Sequence, residues 1–130
     1  RRLQGASRAA IQRVTMSEIR YISTRGRAPV LAFDDVLLAG LARDGGLYVP
    51  ERWPALSAAN LHAMRDLSYP ALAARVMAPF VRGGISESDL AAMTARAYRD
   101  FASPEVAPLV PLGENEYLLE LFHGPTLAFK

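Results

Sequence analysis

The chain has 130 residues, 51% of them hydrophobic, a net charge of +2 and no cysteine. That is apolar material for one domain or a little more, and disulfides, thiolate zinc sites and cysteine nucleophiles are excluded. No apolar run approaches the roughly 18 residues a membrane helix needs. The basic balance is not a nucleic-acid footprint either: Arg1, Arg2, Arg8 and Arg13 fall in the first fifteen residues, which hold no acid, so residues 16–130 carry −2 (+2 less 4) and offer no basic stripe to a phosphate backbone.

Residues 1–15 are arginine-rich, acid-poor and include Ser7, as organelle transit peptides do. They lack an initiator methionine, and Met16-Ser17 follows them. The expectation is a leader, an expression remnant or translated upstream sequence, disordered or loosely helical and outside the fold.

Beyond it, Ile19 to Ser23 is a β-branched and aromatic run, a strand ending in a turn at Arg25-Gly26. From Phe33 the period becomes helical: Phe33, Val36, Leu37 and Leu41 recur on one side, with Asp34 and Asp35 in the first turn where carboxylates are favoured. Gly45-Gly46 is expected to stop this helix, and Leu47-Tyr48-Val49 to form a brief strand before Pro50. The Asp44-Gly45-Gly46 turn reads as a helix C-cap feeding a strand, or as a loop lining a substrate cleft where backbone approaches closely.

After a loop holding Trp53-Pro54, Ser57 caps a helix over 58–67 with Leu61, Met64 and Leu67 near one face. Ser68-Tyr69-Pro70 restarts a helix, since proline is tolerated in a first turn. Leu72, Val76, Met77 and Phe80 form its apolar face; Pro79 is expected to end or kink it, and Gly83-Gly84 completes the break. Ser86-Glu87-Ser88-Asp89 resembles a capping box opening a helix to about Phe101. Its expected buried stripe is Leu90, Met93, Ala97 and Phe101, with Arg96 and Arg99 outward. Ser103 to Pro108 marks a boundary, and Leu109-Val110 and Tyr117 to Phe122 read as strands about a Gly113-Glu114-Asn115 turn. The fold class is α+β and mostly helical: a helical domain, then the first hairpin of a second one. No internal repeat is visible.

The apolar strand then meets Gly124-Pro125, which breaks it, and Thr126 is a good N-cap for a helix beginning at Leu127. Lys130, the only lysine, would sit in that helix's first turn, where dipole and burial both disfavour an ammonium. A lysine kept neutral can form a Schiff base with an aldehyde. His123 either fixes the turn by hydrogen bonds or binds a phosphate or shuttles a proton. Glu116 and Glu120 alternate along one strand face; solvation explains them, except that Glu120, against the Gly-Pro turn, has a structural use. His62 reads as exposed. Arg25 and Arg43 are surface residues beside turns, or attract an anion. No metal-ligand cluster and no glycine-rich phosphate cradle are present.

Three segments carry a resemblance. Leu119-Glu120-Leu121-Phe122-His123-Gly124-Pro125-Thr126-Leu127-Ala128-Phe129-Lys130 closely resembles the lysine-bearing segment of threonine synthases. Arg20-Tyr21-Ile22-Ser23-Thr24-Arg25-Gly26 and Gly40-Leu41-Ala42-Arg43-Asp44-Gly45-Gly46-Leu47-Tyr48-Val49-Pro50 resemble the opening of the same enzymes, in the same order. The resemblance implies pyridoxal 5'-phosphate as cofactor, bound covalently by Lys130, with Phe129 packed near its ring and His123 and Thr126 as substrate-contacting or turn-fixing residues. It implies no metal. The organisation would be a leader over 1–15, a threonine synthase N-terminal domain over 16–103, and over 104–130 the first strands of a fold-type-II, tryptophan-synthase-β-like domain. The parent enzyme, a cytoplasmic monomer or homodimer, would convert O-phospho-L-homoserine and water to L-threonine and phosphate. Other fold-type-II lyases, such as a serine or threonine dehydratase or a threonine-synthase-like phospho-lyase, share the architecture, and a non-catalytic helical interaction module is the remaining alternative. The chain would end at the cofactor lysine of a longer enzyme and be inactive by itself.

Overall fold

The computed structural model describes residues 18–127; the expectations for residues 1–15, Phe129 and Lys130 lie outside them. The first strand, β1 (Tyr21–Ser23), buries Tyr21 and Ser23 and turns Ile22 outward, the two-residue period of a half-covered strand. It pairs antiparallel with β2 (Tyr48–Pro50), Ile22 opposite Val49. On its other side Tyr21 and Leu31 exchange two backbone hydrogen bonds of 2.9 and 3.0 Å. β1 therefore lies between two partners.

Between the strands runs α1 (Phe33–Ala39), with Asp34 and Asp35 in its first turn. It ends at Gly40, whose φ of 65° takes the chain out of the helix while its N–H bonds the Val36 carbonyl. Gly45-Gly46 is thus not its stop, and Leu41 lies past the helix, exposed. Glycine adopts that backbone without a Cβ penalty, so the first glycine after the apolar run ends it.

Ser57 opens α2 (Ala58–Met64) with a reciprocal cap: its Oγ accepts from the Asn60 N–H at 3.2 Å, and Asn60 Oδ1 accepts from the Ser57 N–H at 3.2 Å. The helix stops at Met64, short of the expected Leu67. Pro70 lies in the first turn of α3 (Tyr69–Val81). Pro79 sits inside α3 and does not end it. The one bond it removes would have gone to the carbonyl of Arg75, an exposed residue, and the helix finishes two residues later before Gly83 at φ 93°.

In α4 (Glu87–Tyr98) the Ser86 hydroxyl accepts from the Asp89 N–H at 3.1 Å. Leu90 and Thr94 are buried, whereas Met93 and Ala97 are exposed, so the inward stripe is rotated from the expected one. Leu90, Thr94, Tyr98 and Phe101 follow the i, i+4 and i, i+3 spacing of one face. Thr94 goes inward because its hydroxyl donates to the Ala91 carbonyl at 3.0 Å, satisfying the group within its own helix. α4 packs on α3, and the Tyr98 ring meets Tyr69 and Phe101 edge-on at 4.9 and 5.4 Å.

β3 (Leu109–Gly113) and β4 (Glu116–Leu119) form a second, separate antiparallel pair. It turns through Asn115 at φ 61° and has a register shift between Pro111 and Gly113. Every β4 residue is exposed. The strand ends at Leu119, not Phe122, although the Glu120 N–H still reaches the Pro108 carbonyl at 2.9 Å. Among the described residues the architecture is α+β, four helices with two small sheets. The buried apolar core is Ile19, Tyr21, Ala42, Met64, Val81, Leu90 and Val106. The Tyr21 hydroxyl donates to the Phe80 carbonyl at 2.7 Å and ties β1 to α3.

Candidate functional site

The segment leaving β4 is fixed at three successive points. First, Glu120 Oε2 and His123 Nε2 lie 2.6 Å apart, with the side chains only 22% and 21% exposed. A carboxylate offers acceptors alone, so the imidazole N–H donates. Second, the His123 carbonyl accepts from the Ala102 N–H at 2.8 Å, tying the segment to the chain just past α4. Third, Gly124 is buried against Phe101; a Cβ there would stand 3.2 Å from the ring. The Phe122 and His123 rings lie 4.8 Å apart.

Gly124 to Leu127 then closes a turn, with the Leu127 N–H on the Gly124 carbonyl at 3.0 Å and Leu127 at φ 56°. Thr126 therefore lies inside a turn and does not cap a helix beginning at Leu127, because a residue at positive φ cannot be a first helical residue. Proline following Gly124 presets the turn. His123 is thus bonded within the segment through its ring and to Ala102 through its carbonyl. The structural use of Glu120 is its bond to that imidazole. Phe101 and Ala102 complete the seat, and no local sequence signal marks them, since they stand some twenty residues earlier.

A second polar cluster joins the two signature segments near the amino terminus. The Ser23 hydroxyl lies 2.8 and 2.9 Å from the two carboxylate oxygens of Asp44. The N–H groups of Gly46 and Arg27 donate to the same carboxylate at 3.0 and 2.9 Å. Desolvation pushes the Asp44 carboxyl up, but the Ser23 hydroxyl and the N–H groups of Gly46, Arg27 and Ala28 outweigh it and hold the group at about 2. Gly46 is buried, and a Cβ there would collide with Ser23 Oγ and stand 3.0 Å from Thr24 Oγ1. The Arg25 guanidinium donates to the Asp44 carbonyl at 3.1 Å. Asp44-Gly45-Gly46 is therefore not the cap of α1: it is a turn whose polar groups close on β1. Arg43 and His62 are exposed. Among the described residues no three His, Asp or Glu side chains gather as a metal site would require.

Residues 20–98 match the family described as threonine synthase N terminus. The chain belongs to that family. It is 56% identical over 112 residues to a threonine synthase of Pseudomonas aeruginosa, covering 86% of this chain and 24% of that protein. It is 40% identical over 111 residues to human threonine synthase-like 2, covering 85% and 23%. Among solved structures, the crystal structure of PLP-bound threonine synthase from Brucella melitensis superposes with a TM-score of 0.83 at 52% identity, over 86% of this chain and 24% of that one. The chain thus spans about a quarter of the length of these threonine synthases. No helix among the described residues is long and apolar enough to cross a membrane.

Proposed function

We propose that this chain is the amino-terminal quarter of a fold-type-II threonine synthase that converts O-phospho-L-homoserine and water to L-threonine and phosphate. The observation that carries the reading is the 52% identity and close superposition with a threonine synthase whose structure was determined with PLP bound. The proposed division is residues 16–103 as the N-terminal domain and 104–130 as the opening of the cofactor domain. The β3-β4 hairpin supports it, with Leu109, Leu112, Tyr117, Leu118 and Leu119 about half exposed or more. Such apolar exposure fits strands that later chain covers.

The donor chemistry fits an aldehyde cofactor, because Lys130 carries the sole side-chain amine of the sequence. In this reading Lys130 holds pyridoxal 5'-phosphate covalently, and Phe129 packs beside the ring. When bound, the cofactor supplies an electron sink for negative charge developing on the substrate carbon. The Lys130 amine, when free, would take and return protons at the substrate's α and β carbons. His123 and Thr126 shape the turn that leads to it. The phosphate-gripping residues are proposed to lie on later chain. The enzyme is proposed to be cytoplasmic and to act as a monomer or homodimer.

The likeness to threonine synthase-like 2 keeps a related phospho-lyase as the second reading. The full-length gene product, given O-phospho-L-homoserine, is expected to release L-threonine and inorganic phosphate in equal amounts. Phosphate release with a product other than threonine would favour the phospho-lyase. Ammonia release from serine or threonine without phosphate turnover would favour a dehydratase and overturn the proposal.

A further inference from the structure

We propose that Glu120 and His123 act together as a positioning couple that sets where Lys130 presents its amine. The inference rests on reading Lys130 as the cofactor-holding residue, and it deepens that reading by assigning Glu120 a part in the machinery.

The geometry is that of a clamp. The 2.6 Å contact between Glu120 Oε2 and His123 Nε2 closes a short loop of chain, and both side chains are about four-fifths covered, so water competes poorly for the bond. Each partner is anchored again through its own backbone. The Glu120 N–H bonds the Pro108 carbonyl at 2.9 Å, and the His123 carbonyl bonds the Ala102 N–H at 2.8 Å. The first ties the couple to the hairpin and the second to the end of the helical layer. Gly124 then lies against Phe101, and the turn to Leu127 follows at once. Only three peptide units separate Leu127 from Lys130, at most about 11 Å of chain. An error in the direction of the 120–124 segment therefore has little chain in which to be absorbed. A misplacement of about 1 Å in a reacting group costs on the order of 100-fold in rate.

A bare turn would need neither a carboxylate nor an imidazole. Gly-Pro supplies the reversal, and the Ala102 bond uses only main chain. The side-chain couple adds a side-chain tie to the main-chain bonds and the Gly124–Phe101 packing. Because the two groups make one bond, removing either should have the effect of removing both.

The test uses the full-length holoenzyme carrying Glu120→Ala, His123→Ala, the double substitution, and the conservative Glu120→Gln, whose amide oxygen still accepts from Nε2. Three readouts are taken: steady-state kinetics, borohydride trapping of the cofactor on Lys130, and amide hydrogen exchange of the peptide spanning 120–130. The couple predicts that each alanine variant lowers kcat by about 10- to 100-fold with KM within a few-fold. The double variant should be no worse than the weaker single, and Glu120→Gln should recover most of the loss. Exchange in 120–130 should rise in all three alanine variants while the rest of the protein keeps its protection. Independent, multiplicative losses, unchanged exchange in that peptide, or near-wild-type kinetics in both single variants would overturn the couple. If an alanine variant fails to fold, the Glu120→Gln exchange and kinetics decide alone: wild-type exchange with a full kcat loss overturns it. Absence of any trapped adduct on Lys130 in the unsubstituted enzyme would instead sink the cofactor reading beneath it.

Discussion

Replacing Gly46 by alanine tests whether the Asp44-Gly45-Gly46 signature serves structure. Gly46 is buried, and its added Cβ would overlap Ser23 Oγ and press on Thr24 Oγ1 at 3.0 Å and Asp44 Oδ1 at 3.1 Å. The nearest of these, Ser23 Oγ, is not a free end: Ser23 is 4% exposed, its hydroxyl is bonded to Asp44 at 2.8 Å, and β1 is paired on both sides. Overpacking at such a site costs ~1–3 kcal/mol, and the rigid surroundings place this one at ~2–3 kcal/mol. For a chain of this size that lowers Tm by roughly 7–13 °C. Gly26 is the control. It has φ 69° and nothing within 4 Å of a built Cβ, so Gly26→Ala meets backbone strain alone, ~1–2 kcal/mol. Removing the Ser23 hydroxyl relieves the worst overlap, so Ser23→Ala with Gly46→Ala should lose less than the two singles added. Thermal melts followed by circular dichroism check all four chains. A Gly46→Ala chain melting within about 2 °C of the parent would refute the packing argument.

The same cluster predicts a pH dependence. Asp44 is held at about 2 in the folded chain, below the ordinary aspartate value of about 3.9. Folding therefore favours the ionised form, and its contribution is fully present above about 4 and lost as pH falls through about 2. Asp44→Asn should be less stable near neutrality and show a flatter decline between those pH values in denaturant titrations; parallel curves would contradict this. The exposed hairpin predicts self-association of the 130-residue chain, since β3 and β4 each leave an open edge and apolar side chains face solvent. Light scattering should show concentration-dependent oligomers that Leu118→Lys reduces, and a monodisperse monomer at high concentration would refute it.

Where the structure follows the sequence reading, the signal is local. Ser57 and Ser86 open helices because a hydroxyl meets an N–H three residues on, and Pro70 starts one because a first turn has no use for its missing donor. Where the two diverge, a distant partner decides. Three glycines follow α1 within seven residues, and the bonds that Asp44 accepts from Ser23, Arg27 and Gly46 set the buried turn at Gly46 apart from the helix stop at Gly40. The face of α4 was hidden because Thr94 satisfies its own hydroxyl and so goes inward in place of Met93. Pro79 was tolerated because the bond it removes lies beside the helix end. At the candidate site, the Gly124-Pro125 reversal and the use of Glu120 were legible. The seat made by Phe101 and Ala102 was not, since a contact across twenty residues leaves no periodic trace. Thr126 does not cap a helix at Leu127 for a related reason: the turn closed by Leu127 onto Gly124 takes Leu127 out of helical geometry.

The amine of Lys130 is proposed to belong to a pyridoxal-phosphate site completed by later chain. This is tested most directly by loading the full-length gene product with the cofactor, reducing with borohydride and mapping the modified peptide by mass spectrometry. The expected result is one adduct, on Lys130, absent from Lys130→Ala. A stable adduct on another lysine, or none in a folded full-length protein, would contradict it.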